Sequence, residues 1–135
     1  RWQGAWIRHG RWYPDTKVRL VRNGSGEWIG DGAHERLHLR GKCFRFSADI
    51  LHDPYRNFFE HVHAINHYTR LQAKVMASQG RRAPLWRVAL GPPFHVVDAL
   101  MLRRGILDGW RGIGLAGMGA VNVGLKWVRL RRAQQ

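Results

Sequence analysis

The feature that most constrains this chain is a glycine-rich run of 14 uncharged residues between Arg111 and Lys126. As an α-helix the run would be roughly 21 Å long, which is short of the ~30 Å hydrocarbon core of a bilayer. Small residues recur at every fourth position, at Gly112, Ala116, Ala120 and Gly124. Such a ridge allows another helix to approach closely. We therefore expect a helix over about 107–130 that is not a simple membrane span.

Aromatic and cationic residues border this run. Trp110 and Trp127 flank it, and Arg103, Arg104 and Arg129 lie around it. Aromatic rings and cations at the ends of a short apolar segment are typical of an interfacial or re-entrant helix. We predict that these five residues contact a membrane surface. The alternative is a buried helix with a basic exterior.

The charge balance predicts an anionic partner. Lys and Arg number 23 against 9 Asp and Glu, a net charge of +14 in 135 residues, and the surplus lies at the two ends of the chain. Anionic lipid, anionic small molecules and nucleic acid all fit this charge. At 44% hydrophobic residues the chain is not a disordered polyelectrolyte, and its single cysteine excludes a disulfide framework.

Basic and apolar residues together favour a membrane surface, and we expect no nucleic-acid partner. Two alternatives stay open at this point. Seven tryptophans beside so many cations fit a basic nucleic-acid-binding protein. A membrane-anchoring module without catalytic activity also fits.

The residue pattern predicts strands first and helices afterwards. Short β-prone runs lie at 6–7, 17–21, 27–29, 34–39 and 43–46, separated by turn residues. A helix is expected to begin at Asp53-Pro54 or at Asn57 and to end near Gly80. Its predicted apolar stripe is Phe58, Val62, Ile65, Tyr68, Leu71 and Val75.

A second helix is expected near Pro84, interrupted by Gly91-Pro92-Pro93 because proline lacks the backbone N–H. The predicted segments are a strand-rich part at 1–53, an amphipathic helix at 54–82 and a basic apolar helical region at 83–135. The fold class expected is α/β, or α+β for this length of chain alone.

Several polar residues have the chemistry of a site. Glu35 lies between His34 and Arg36, which would keep its carboxylate ionised and able to act as a general base. A surface strand of mixed charge would look the same. His52 precedes Asp53 and could bind a metal, although one imidazole is not a site and a capping Asp beside a packed His is the alternative.

Arg19 and Arg22 are candidates for a phosphate clamp, or equally the outer face of an edge strand. His63 and His67 share a helix face at a metal-binding spacing, without an acidic or cysteine partner nearby.

Five segments in order resemble the C-terminal half of bacterial inner-membrane glycosyltransferases of family two, especially those that build the lipopolysaccharide core. They are residues 12–22 (Trp-Tyr-Pro-Asp-Thr-Lys-Val-Arg-Leu-Val-Arg), 30–36 (Gly-Asp-Gly-Ala-His-Glu-Arg), Leu51-His52, 65–69 (Ile-Asn-His-Tyr-Thr) and 103–112 (Arg-Arg-Gly-Ile-Leu-Asp-Gly-Trp-Arg-Gly). The likeness covers nearly the whole chain and rests on order and spacing rather than on one motif.

The resemblance implies the acceptor-side half of a type A glycosyltransferase fold and a role in cell-envelope lipopolysaccharide biosynthesis. A hexosyltransferase-like reaction would move a sugar from a nucleotide-sugar donor to a phosphorylated glycolipid, with inversion. By this resemblance Glu35 is the catalytic base and His52 a metal ligand. Arg19, Arg22, His34 and Arg36 would bind substrate phosphates.

The same resemblance implies a divalent cofactor, Mg²⁺ or Mn²⁺, held mostly by an N-terminal half that precedes these residues. We therefore interpret the chain as part of a longer protein and expect it to be inactive alone. The expected location is the cytoplasmic face of the bacterial inner membrane, peripheral or re-entrant.

Overall fold

A computed structural model describes residues 1–30 and 36–135, and these residues have an α+β architecture. Strands β1 (Gly26–Ile29) and β2 (Arg36–Leu39) pair antiparallel, with Gly26 opposite Leu39 and Ile29 opposite Arg36. Three α-helices follow within the described residues: α1 (Phe58–Ser78), α2 (Leu85–Val97) and α3 (Gly109–Arg132). A π-helix at Asp98–Leu102 and a 3₁₀ turn at Gly105–Asp108 connect α2 to α3. A mixed α and β composition is thus confirmed.

The chain forms two compact units. One unit is the segment Thr16–Leu51, which contains the β1–β2 hairpin. The other joins Arg1–Asp15 to His52–Gln135 and contains all three α-helices of the described residues. The helices lie inside the predicted segments 54–82 and 83–135, while the division into three consecutive parts stays a prediction.

Strands form at only two of the predicted places. The run 27–29 is part of β1, and 36–39 of the run 34–39 form β2. The runs 6–7, 17–21 and 43–46 are not strands, so those three predictions were wrong. A short β-prone run is stable as a strand only against a partner that pairs its backbone. The residues of 17–21 and 43–46 are exposed instead.

Helix α1 begins at the second of the two predicted starts. The Asn57 side chain accepts a hydrogen bond from the Glu60 backbone N–H at 2.9 Å, while the Glu60 carboxylate accepts one from the Arg56 backbone N–H at 2.9 Å. This reciprocal arrangement satisfies two donors at the helix start. Asp53-Pro54 is therefore not the start of the helix, and α1 ends before Gly80, where φ is +68°.

The buried face of α1 is rotated from the predicted apolar stripe. Its buried residues are His61, Ile65, Thr69, Ala73 and Met76. The predicted stripe shares only Ile65 with them, and Phe58, Val62, Tyr68 and Leu71 are exposed, so this prediction was wrong. Small and polar side chains occupy the interface because α3 is close and brings Arg129 to Asn66 and Thr69.

Helix α2 continues through Pro92 and Pro93, so the predicted interruption was wrong. Two prolines remove two backbone donors, and the cost is offset where tertiary contacts hold the helix. Contacts with α3 do this: an added methyl at Gly91 would lie 3.2 Å from Val123, and one at Gly124 would lie 3.3 Å from Pro92. The two helices therefore meet closely at the proline pair.

Helix α3 packs against both α1 and α2. It begins two residues later than predicted and ends at Arg132. Gly112 and Ala116 are buried and Gly124 meets Pro92, so close packing on the small-residue ridge is confirmed. At the far end Leu130 is fully buried with Ala73, Met76 and Ala83. None of the helices among residues 1–30 and 36–135 is long and apolar enough to cross a membrane.

Candidate functional site

The helical unit forms a partly open cavity of about 480 Å³. Residues of the N-terminal segment, the segment before α1, and all three helices line it. Its polar wall includes the following side chains: His9, Arg11, Trp12, Asp15, His52, Tyr55, His61, Tyr68, Gln72, His95 and Asn122. Concave sites that join apolar walls to a few polar groups are the usual places for small ligands. This cavity is therefore our candidate functional site.

Ion pairs and hydrogen bonds hold the N-terminal segment over the helices. The Asp108 carboxylate accepts hydrogen bonds from the backbone N–H groups of Arg8 and His9, at 3.1 and 2.9 Å, and lies 2.9 Å from the His9 Nδ1. The Gly10 backbone N–H donates to the Arg103 carbonyl at 2.8 Å. Residues about 100 positions apart in the sequence thus form one wall of the cavity.

Asp98 makes a second tie between the same segments. Its carboxylate accepts hydrogen bonds from the guanidinium groups of Arg11 and Arg103. Burial acts to raise the pKa of Asp98, but its bonds to Arg103 and Arg11 outweigh burial and hold that pKa below its ordinary value. Asp98 is therefore ionised, and its carboxylate pairs with the guanidinium groups of Arg11 and Arg103.

An aromatic cluster surrounds His61, which is only 6% exposed. The Trp2 indole N–H donates to the His61 Nδ1 at 3.2 Å, and the Tyr55 ring stacks on the imidazole at 4.3 Å between centroids. Trp12 lies 5.6 Å away. Burial lowers the pKa of His61 and raises that of Tyr55. Both groups are therefore neutral near pH 7, and the His61 Nδ1 is a hydrogen-bond acceptor.

His95 extends from α2 onto the backbone of α3. Its ring lies where a side chain at position 119 would lie, so any residue larger than glycine there would require the His95 ring to move. Burial, followed by the charge of Arg11, lowers the pKa of His95, and Asp98 opposes this shift. A second neutral imidazole therefore lines the cavity.

Gln72 presents a buried acceptor without a partner. Its side-chain Oε1 is the buried side-chain polar atom that has no hydrogen-bond partner among the described residues. A buried carbonyl without a donor costs about 1–3 kcal/mol. Because Gln72 lines the cavity, a hydroxyl or N–H group of an occupant would remove that cost.

Some of the predicted site residues lie in one of the two units, and others lie outside the described residues. Glu35 and His34 lie outside the described residues, and Arg36 is the first residue of β2. Arg19 and Arg22 are exposed residues of the unit Thr16–Leu51. His52 belongs to the helical unit and lines the cavity.

The predicted metal ligand has no cluster around it. Over residues 1–30 and 36–135 no three His, Cys, Asp or Glu side chains are placed to hold a metal ion. Neither His52 nor the pair His63 and His67 therefore belongs to such a group among the described residues. One imidazole supplies one ligand, so a cation at His52 would need its other ligands from residues outside those described.

The five predicted membrane residues have different surroundings. Arg103 and Arg104 are exposed, as is Trp110. The Trp127 ring packs against the cluster around Leu130. The Arg129 guanidinium donates to Thr69 and to the Asn66 carbonyl of α1. Trp127 and Arg129 therefore serve the helix interface.

Sequence reasoning missed His61, His95 and Gln72 as cavity residues. His61 lies four residues before Ile65, on the face of α1 that is buried, so a correct choice of face would have found it. His95 and Gln72 have no comparable signal, since each depends on where another helix passes.

No family model matches the chain, and no solved structure matches it.

Proposed function

We propose that the chain is the acceptor-side part of a glycosyltransferase that moves a sugar from a nucleotide-sugar to a phosphorylated glycolipid. One observation carries this proposal. Four of the five segments quoted for the resemblance, although far apart in sequence, contribute residues to the same cavity: Trp12 and Asp15, His52, Ile65 and Tyr68, and Gly105 and Gly112. Residues from these four segments are thus also residues of the candidate site.

The lining of the cavity is chemically suited to a sugar. Trp12, Tyr55 and Tyr68 provide aromatic rings, whose faces can cover the apolar C–H face of a pyranose. Asn122 and the unpartnered Gln72 Oε1 offer hydrogen bonds to hydroxyl groups. The imidazoles of His61 and His95 are neutral, which suits an uncharged ring better than a phosphate.

The reaction proposed is a single displacement with inversion. The Glu35 carboxylate takes the proton from the acceptor hydroxyl, whose oxygen then attacks the anomeric carbon of the donor sugar. The bond from that carbon to the nucleoside diphosphate breaks as the new glycosidic bond forms. Arg19, Arg22, His34 and Arg36 would hold phosphates of donor or acceptor.

The cation that the resemblance implies, Mg²⁺ or Mn²⁺, would need most of its ligands from residues outside those described. His52 would supply one of them. The proposed setting is the cytoplasmic face of the bacterial inner membrane, where donor and glycolipid meet.

The decisive experiment replaces the base in the full-length protein. Glu35→Gln keeps the shape of the side chain but cannot accept a proton, so sugar transfer should fall about 10²–10⁴-fold while donor binding stays nearly unchanged. Glu27→Gln is the matched control: Glu27 is half-exposed in β1, where it pairs with Arg40 at 3.4 Å. Near-normal transfer by Glu35→Gln, or an equal loss in both variants, would refute the role of Glu35.

A further inference from the structure

The outward face of α2 and the π-helix is entirely apolar. The exposed residues recur in a helical pattern along 85–102, and not one of them is charged or polar: Leu85, Trp86, Ala89, Leu90, Pro93, Phe94, Val97, Met101 and Leu102. The seven large ones among them are between 54% and 71% exposed. We call these nine residues the α2 outer face.

The α2 outer face is not needed for the packing of α2. The opposite side of the helix makes those contacts, with Gly91 against Val123 and Trp127, Pro92 against Gly124, and His95 against Gly119. A helix that is apolar on all sides is normally buried on all sides. A large exposed apolar surface marks an interaction site. Packing within the helical unit therefore does not account for the exposed apolar side chains of the α2 outer face.

We propose that the α2 outer face inserts into the surface of an anionic lipid bilayer. Cations lie in the sequence on both sides of it, at Arg81 and Arg82 before and at Arg103 and Arg104 after. Residues 81–135 hold 10 basic and 2 acidic residues. An apolar helix face bordered by cations matches the apolar interior and negative headgroups of such a bilayer.

The acidic groups of this region do not oppose the attraction. Asp98 is the one acidic residue of 85–102, and its carboxylate is held by Arg11 and Arg103. The carboxylate of Asp108, which follows, accepts hydrogen bonds from the backbone N–H groups of Arg8 and His9. The same cations argue against a second copy as the occupant, because two chains of net charge +14 repel each other.

The dimensions favour a helix that lies in the interface rather than crossing it. Leu85 to Leu102 spans roughly 27 Å at the α-helical rise, with the exposed apolar residues on one side only. At one end the Arg87 guanidinium lies over the Trp86 ring at 5.0 Å, and such a pair suits the headgroup layer. The uncharged run of α3 belongs to a helix that packs against α1 and α2, and its interfacial role stays a prediction.

This inference goes beyond the proposed transfer reaction and does not depend on it. The experiment measures co-sedimentation of the complete chain with vesicles of phosphatidylcholine alone and with added phosphatidylglycerol. The double variant Leu90→Asp/Phe94→Asp should bind anionic vesicles at least about tenfold more weakly. The control Phe59→Asp/Val62→Asp makes the same charge change on exposed apolar residues of α1. This control should bind anionic vesicles within about threefold of the unsubstituted chain.

A second measurement does not depend on the folding of these variants. In a Cys43→Ser background, an environment-sensitive dye attached at Leu90→Cys should shift its emission to the blue on anionic vesicles. The same dye at Lys74→Cys on α1 should show no such shift.

Arg82→Gln and Arg104→Gln should each weaken binding to anionic vesicles about fivefold, and high salt should abolish their effect.

Three results would overturn the proposal. The first is equal loss of binding in the α2 and α1 double variants, which would indicate charge attraction alone. The second is a dye at position 90 that stays in water on bound vesicles. The third is a dimer in the absence of lipid that Leu90→Asp/Phe94→Asp converts to a monomer, since the α2 outer face would then be an interface between copies.

Discussion

Two glycines of α3, five residues apart, should respond in opposite directions to the same substitution. Glycine in a helix interior is less favourable than alanine by about 0.5–1 kcal/mol, so Gly→Ala stabilises a helix wherever the methyl has room. At Gly117 no atom lies within 4 Å of the added methyl. Gly117→Ala should therefore raise the free energy of unfolding by about 0.5–1 kcal/mol.

At Gly112 the methyl has no room. It would overlap the carbonyl oxygen of Gly105 and lie 2.8 Å from the carbonyl carbon of the same residue. These are backbone atoms, and Gly105 in turn closely approaches Gly10 and Ala99, so the 3₁₀ turn cannot simply move away. Overpacking of this kind costs about 1–3 kcal/mol, which exceeds the gain in helix propensity. Gly112→Ala should lower the free energy of unfolding by about 1–2 kcal/mol.

Thermal unfolding followed by circular dichroism measures both effects. For a chain of this length, 1 kcal/mol corresponds to about 3–6 °C in Tm. Gly117→Ala should thus raise Tm by a few degrees, and Gly112→Ala should lower it by a similar or larger amount. If both variants moved Tm in the same direction, the close contact between α3 and the 3₁₀ turn would be wrong.

Two further predictions concern buried polar groups. Burial lowers the pKa of His61 and His95 below the ordinary value, so the free energy of unfolding should fall as the pH drops below about 6.5. His61→Phe should flatten the profile of Tm against pH. An unchanged profile would refute the burial of that imidazole. Arg129→Met removes the donor to Asn66 in the α1–α3 interface and should cost about 1–3 kcal/mol in chemical denaturation, whereas Arg104→Gln at an exposed position should cost less than about 0.5 kcal/mol.

Local signals in the sequence predicted helix positions better than helix faces. The Asn57–Glu60 pairing marks the start of α1 because capping involves only neighbouring residues. The buried face of α1 depends on what lies against it. A prediction from hydrophobicity alone places Phe58 and Tyr68 on that face rather than Thr69. Thr69 is fully buried because its hydroxyl donates to the Ile65 carbonyl at 2.6 Å, which no periodicity reveals.

The same distinction applies to the prolines and to the candidate site. Pro92 and Pro93 indicate a break when only their own helix is considered, and contacts with α3 keep that helix continuous. His52 was found because it stands at a junction of elements. The cavity around it requires Asp108 to meet His9, and nothing within either segment predicts the other.

The bond between Asp108 and the backbone at Arg8 and His9 has a consequence for biosynthesis. At about 5–20 residues per second, roughly 5–20 s pass between the synthesis of Arg8 and His9 and the synthesis of Asp108. Until then Trp2, which ends up 3% exposed, has no α3 to cover it. A nascent chain shortened before Asp108 should therefore show an N-terminal segment open to proteases and chaperones, and completion of α3 should close it.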